Sequence, residues 1–127
     1  CPVDESVSHS VSSPSNTIKG LITVFEASRE AMQGRMALNL PGLNVTVKEM
    51  LQALEDVAGP AVRKHVTFVR DEHIAGIVAN WAKAGSAQRA AALGLKPDAS
   101  FKEVIKQYIE DCKLPYYPTH ALDGLKK

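Results

Sequence analysis

Residues able to do chemistry are few and scattered. Cys1 opens the chain as Cys-Pro and could act as a nucleophile only with a base and an oxyanion site beside it. No such base is identifiable nearby, and the simpler expectation is that these residues belong to a longer polypeptide. His9 alternates with Val7 and Val11 at a period of two, which places it on the apolar side of a short strand, where a hydrogen-bonded structural histidine is the commoner case. Asp71, Glu72 and His73 are metal-ligand types, but consecutive helical residues diverge in direction, so a capping and dipole role is expected instead. Trp81, the single tryptophan, is followed by Lys83 and Arg89, two cations able to meet an anion or to lie solvated on a helix surface.

The missing motifs are as informative. The glycines at 20, 34, 42, 59, 76, 85, 94 and 124 never form GxGxxG or a P-loop, so no pyrophosphate cradle is encoded. GxSxG and HExxH are absent as well. The expectation is no catalytic residue, no cofactor-binding residue and no metal ligand within this chain. Net charge is +1 on 127 residues, which lacks the broad basic field that drives nucleic-acid or anionic-membrane binding. Apolar runs are far below the roughly 20 residues needed to span a bilayer, and no signal peptide is visible. Cys1 and Cys112 stand at opposite ends with no zinc-like spacing. With 45% hydrophobic residues the chain can form one core.

These residues must be positioned by short elements. Val7 to Val11 reads as a strand with serines on one face. Ser13-Pro14 starts a helix whose stripe is Ile18, Leu21, Ile22 and Phe25, ending between Ser28 and Gln33 with Gly34 as closure. Met36 to Leu40 reads as a strand that Pro41-Gly42 turns. Thr46 with Glu49 makes a capping box for a helix bearing Val47, Met50, Leu51, Leu54, Val57 and Ala58, stopped by Gly59-Pro60. His65 to Val69 has strand content, and Ile74, Ile77, Val78 and Trp81 mark another helix face, on which Trp81 is expected in the core. Ser86 is placed to cap a short helix over 87–93, Lys96-Pro97-Asp98 is a turn, and Ser100 with Glu103 caps a helix whose stripe is Phe101, Val104, Ile105, Tyr108 and Cys112. The prolines at 115 and 118 forbid helix, leaving 114–127 as an extended tail after a unit at 1–113.

The order of these motifs resembles the NAD-dependent epimerase/dehydratase family, the extended short-chain dehydrogenase/reductases, in its C-terminal portion, with D-erythronate dehydrogenase-like members most similar. The resemblance runs from about Pro2 to Asp111: Ser-Pro helix, Asn-Leu-Pro-Gly turn, Thr-Val-Lys-Glu helix, then a tryptophan segment. There the family's Trp-Pro-x-Arg-Phe-Asp-x-x-Arg-Ala-x-x-Leu-Gly-Leu is matched at Trp81, Arg89, Ala90, Leu93, Gly94 and Leu95, while Ala82, Ala84, Gly85 and Ser86 replace Pro, Arg, Phe and Asp. The resemblance implies an α/β fold class: a mostly helical C-terminal substrate-binding part of an extended Rossmann-type dehydrogenase, with a few short strands.

It further implies a carbohydrate-type substrate, a sugar acid or nucleotide sugar, approached by His9, Ser13, Trp81, Lys83 and Arg89. NAD(P) and the catalytic Ser, Tyr and Lys would lie in an N-terminal nucleotide-binding part outside this segment; the family's Tyr-x-x-x-Lys does not occur here. A cytoplasmic setting and a possible homo-oligomer are implied too. Ser8 and Ser15 stand where such members are expected to carry arginines, so a carboxylate held at those two positions is not expected. A stand-alone α/β binding or interaction domain remains the alternative. Strand pairing discriminates the two, because a severed part would leave its strands without neighbours.

Overall fold

The computed structural model describes residues 1–35, 37–83, 85–118 and 120–125. Two short strands, β1 (Ser8–Val11) and β2 (Leu43–Thr46), form an antiparallel ribbon in the register Ser8↔Thr46, His9↔Val45, Ser10↔Asn44 and Val11↔Leu43. Alternation gives the ribbon a hydrophilic face of Ser8, Ser10, Asn44 and Thr46 and an opposite face of His9, Val11, Leu43 and Val45. β2 lies after the Pro-Gly turn rather than before it. Of the strand expected over Met36 to Leu40, Met36 lies outside the described residues and 37–40 form no strand. The β-branched alternation that settles the pairing sits at Leu43 to Thr46, where Val45 is buried.

Six helices complete the described chain: α1 (Pro14–Glu26), α2 (Val47–Ala58), α3 (Pro60–Arg63), α4 (Glu72–Ala79), α5 (Gln88–Ala92) and α6 (Phe101–Asp111). The capping box of α2 is present: the Glu49 amide donates to Thr46 Oγ1 at 3.2 Å and the Thr46 amide donates to Glu49 Oε2 at 2.7 Å. Those bonds hold the Glu49 carboxyl below the usual carboxylate range. Gly59, at φ 93°, ends α2 in a conformation that a side chain would strain, and Pro60 opens α3 at once. α1 stops at Ala27, earlier than Gly34, because the Ser28 hydroxyl accepts from the Ala31 amide and draws the chain into turns. Ser86 does not cap α5; Ala87 occupies that position with no side-chain bond.

The core is small. Val3, Val47 and Leu51 form its buried centre, with Val7, Val66, Ala75 and Val78 packed around them. α2 also packs on α3 and α6, and Lys102 of α6 pairs with Asp56 of α2 at 2.6 Å. α4 contributes Ala75 and Val78 rather than the whole expected stripe. Trp81 lies beyond its end and is 57% exposed, so the expectation of a core tryptophan is overturned.

His65 to Val69 is not a strand either. Its backbone runs beside the start of the chain, with the Cys1 amino group donating to the Thr67 carbonyl and the Val69 amide donating to the Cys1 carbonyl at 3.1 Å, too few bonds for a ladder. Among its described residues the tail is not extended: the amides of Tyr117, Ala121, Asp123 and Leu125 each donate to a carbonyl three residues back and fold it. Ala121, Leu122 and Leu125 thereby meet Leu54, Val62 and Ile105 across a cavity of about 100 Å³.

Candidate functional site

The hydrophilic face of the ribbon forms one wall of a cleft. Ser10 and Asn44 face each other across the register, and both are exposed. Gly42 closes the turn beside them so tightly that an added Cβ would collide with Ser10 Oγ. Leu38, Asn39, Leu40, Ala82 and Gly85 also line this open groove, whose volume is about 480 Å³. A second space of about 390 Å³ adjoins it, sharing Leu38 and Asn39 and bounded by Arg35, Ser86, Gln88 and Arg89. Volumes of this size suit a small-molecule ligand.

Arg89 holds this region in shape. Its Nη1 donates to the Ala37 carbonyl at 2.8 Å, while Nη2 donates to the carbonyls of Met32 and Arg35. One guanidinium thus gathers three carbonyls of the 32–37 segment onto α5, and its Nε is buried without a partner among the described residues. Asn39 adds a long bond, Nδ2 donating to the Ser86 carbonyl at 3.4 Å. The cleft lining is therefore tied to α5 through Arg89 and to the segment before α5 through Ser86.

Of the residues expected to approach a substrate, His9 and Trp81 are brought together, their rings 6.0 Å apart and inclined by 70°, an edge-to-face pairing. Lys83 is exposed nearby in sequence. Arg89 lies by the cleft with its donors turned to the backbone. Ser13 is 1% exposed and fully engaged: its amide donates to Asp98 Oδ2 at 2.8 Å, its hydroxyl donates to Asp98 Oδ1 at 2.7 Å, and its oxygen accepts from the Asn16 amide to cap α1. Asn16 also donates to the Lys96 carbonyl, so the Lys-Pro-Asp turn is fastened to the start of α1.

Asp98 is the residue that sequence reasoning passed over. A proline-aspartate turn was its only signal, and that signal does not name a partner 85 residues away. Asn44 and Arg35 were missed as well, since a lone amide and a lone arginine belong to no motif, and Asn39 was read only as the start of the Asn-Leu-Pro-Gly turn.

Asp71, Glu72 and His73 do not converge. Asp71 caps α4 by accepting from the Ile74 amide at 3.0 Å. Glu72 takes two bonds from Arg70, which hold its carboxyl below the ordinary range. Among the described residues no group of three or more His, Cys, Asp or Glu could hold a metal ion, and no helix is long and apolar enough to cross a membrane. Cys1 Sγ lies 3.6 Å from the Val3 carbonyl. Among the described residues no turn presents the glycine-rich amides that a dinucleotide pyrophosphate needs, so these residues do not fit that cofactor.

No family model matches the chain. It is 42% identical over 114 residues to the D-erythronate dehydrogenase of Cupriavidus necator, covering 90% of this chain and 35% of that protein. It is 39% identical over 110 residues to the D-erythronate dehydrogenase of Haemophilus influenzae, covering 87% of this chain and 35% of the relative. Among solved structures, the nucleoside-diphosphate-sugar epimerase of Agrobacterium tumefaciens superposes with a TM-score of 0.82 at 35% identity, over 87% of this chain and 32% of that one. The chain thus spans about a third of the length of the relatives it matches.

The class resemblance read from the sequence, to the C-terminal portion of the NAD-dependent epimerase/dehydratase enzymes, is borne out, as is a mostly helical part with a few short strands. The similar members include, as expected, those named D-erythronate dehydrogenase.

Proposed function

We propose that this chain is the substrate-binding portion of an NAD-dependent oxidoreductase or epimerase acting on a sugar acid or nucleotide sugar. The observation that carries this reading is similarity at 39–42% identity to enzymes of which the chain spans only 35%. Two physical features support it. No pyrophosphate cradle is encoded, so NAD(P) and the acid/base residues belong to a nucleotide-binding part supplied by the rest of such an enzyme. The apolar stripe of α1, with Phe25 at 88% exposed, is a face built to be covered.

In this role His9 and Trp81 offer an aromatic edge and an exposed indole to a sugar face, and Lys83 supplies a mobile cation. Arg89 shapes the wall. Ser13 acts at one remove, locking the corner between β1 and α1 through Asp98. The unit at 1–113 does this work, while the folded tail braces α2 and α6. A cytoplasmic setting and self-association of the complete enzyme belong to the same reading.

Calorimetric titration of the 127-residue chain with NAD tests it: no binding and no NAD reduction are expected, and a micromolar NAD site would overturn it. A polypeptide that includes a nucleotide-binding part is expected to reduce NAD with a sugar acid. The alternative, a stand-alone binding domain, draws on the pairing of β1 with β2 inside the chain. It predicts a monodisperse monomer that binds no hydrophobic dye.

A further inference from the structure

We propose that the groove between α2, α3 and α6 is a docking site for a short amphipathic turn, and that residues 120–125 of this chain occupy it as a detachable strap. The segment lies beyond Asp111, where the family resemblance stops, and the inference stands apart from the preceding reading.

Spacing and seat agree. Ala121, Leu122 and Leu125 stand at i, i+1 and i+4, which sets their side chains on one side of a helical turn, and the Ala121, Asp123 and Leu125 amides each donate to a carbonyl three residues back. The other side is polar or bare, with His120, Asp123 and Gly124 exposed. Facing the three apolar side chains are Leu54 and Ala58 of α2, Val62 of α3, and Ile105 and Ile109 of α6. An apolar turn laid between helices is a recurring mode of peptide recognition, and here one chain supplies both halves.

The hold on the segment is slight. Among the described residues no hydrogen bond or ion pair joins 120–125 to any residue before Pro118; its amides bond only within the tail. Ala121, Leu122 and Leu125 are half-buried, α6 facing them has no buried residue, and a cavity of about 100 Å³ is left between the two surfaces. Few buried contacts and exposed local hydrogen bonds give a low opening free energy.

The helices hold each other without the strap, since Lys102 of α6 pairs with Asp56 of α2 at 2.6 Å. Upstream, the Tyr117 ring meets Tyr108 edge-on at 6.3 Å, which keeps the strap beside its seat when it lifts. A tether this short gives an effective concentration of about 1 mM, enough to exclude a free peptide until the strap is released.

Two measurements test the assignment. In the native 127-residue chain, hydrogen exchange followed by NMR should show the Ala121, Asp123 and Leu125 amides exchanging at least about a hundredfold faster than the Leu54 and Val57 amides of α2. The second uses the full chain carrying Leu122→Asp and Leu125→Asp. It should keep a cooperative thermal unfolding transition and bind a synthetic peptide of residues 114–127 at least about tenfold more tightly than the native chain does, with amide shifts at Leu54, Val62 and Ile105. The same peptide carrying both aspartates should not bind. Leu125→Ala, a milder release, should give an intermediate affinity.

Strap amides as slow as those of α2, or loss of cooperative unfolding in both variants, would make the segment a fixed part of the core and overturn the proposal. Equal peptide binding by native and released chains, binding by neither, or shifts away from α2, α3 and α6 would overturn it too. A native chain found dimeric through this groove at micromolar concentration would give the seat to a second copy and overturn the assignment to the chain's own strap. None of these outcomes bears on the NAD titration.

Discussion

α1 and α2 are of nearly equal length, 13 and 12 residues, each capped by a hydroxyl side chain and each carrying an apolar stripe at helical spacing. They end in opposite circumstances. Leu51 of α2 is 9% exposed at the centre of the core, while Leu21 of α1 is 65% exposed and Phe25 is 88% exposed. The difference lies in the neighbours that follow each helix. α2 has α3, α6 and the folded tail within 127 residues, and an ion pair to α6; α1 meets the rest of the chain through its start, where Asp98 holds Ser13, and through its back, where Gly20 is buried. An amphipathic pattern specifies that a face needs cover and says nothing of who provides it.

The contrast can be broken or sharpened by substitution. The largest effect is expected at Leu51→Ala, which removes packing at the core centre and should cost about 2–5 kcal/mol in denaturant unfolding. A cost near zero would mean that the core is not where it is drawn. Asp98→Ala comes next: it strands the Ser13 amide and hydroxyl in a buried place and should cost about 1–3 kcal/mol, with Asp98→Asn milder because one acceptor survives. Thermal unfolding of the two variants side by side checks the order.

Thr46→Ala should cost about 1 kcal/mol through loss of the cap. Its partner Glu49 adds a pH signature. The carboxyl is held below its ordinary value of 4.5 in the folded chain, so its stabilising contribution is present above that value and is lost as pH falls through the folded one. The stability gap between native chain and Glu49→Gln should accordingly be flat near neutrality and narrow in acid, as denaturant unfolding at a series of pH values checks.

Leu21→Ala stands last. In this chain it should change stability by less than about 0.5 kcal/mol, as surface positions do. In the longer polypeptide proposed above, the same substitution should cost as much as a core position. Equal effects in both settings would deny α1 a covering partner.

How much of this was readable in advance divides along the same line. The caps at Thr46, Asp71 and Ser100 follow from neighbours three residues away, and each is found where local chemistry puts it. Family resemblance found the right class because motif order survives where single residues have changed. Long-range placement was not readable. Trp81 completed a helical spacing with Ile74 and Ile77, yet α4 ends at Ala79 and leaves the indole outside. Arg89 could be read as a contact to an anion or as a surface charge, and neither reading foretold its bonds to the carbonyls of Met32, Arg35 and Ala37, because the segment that it grips has no signature of its own. The cleft itself arises from a strand pairing across 32 residues or more, with Asn44 flagged by no motif.

Gly20 joins the two halves of this account. Its bare Cα admits the Leu40 side chain, whose Cδ2 would lie 2.7 Å from an added Cβ, and Leu40 is part of the cleft wall. The first helix and the ligand space are thereby geared together at one tooth. A bulkier residue at position 20 would therefore push on Leu40, and through it on the lining of the cleft, from the side of the helix.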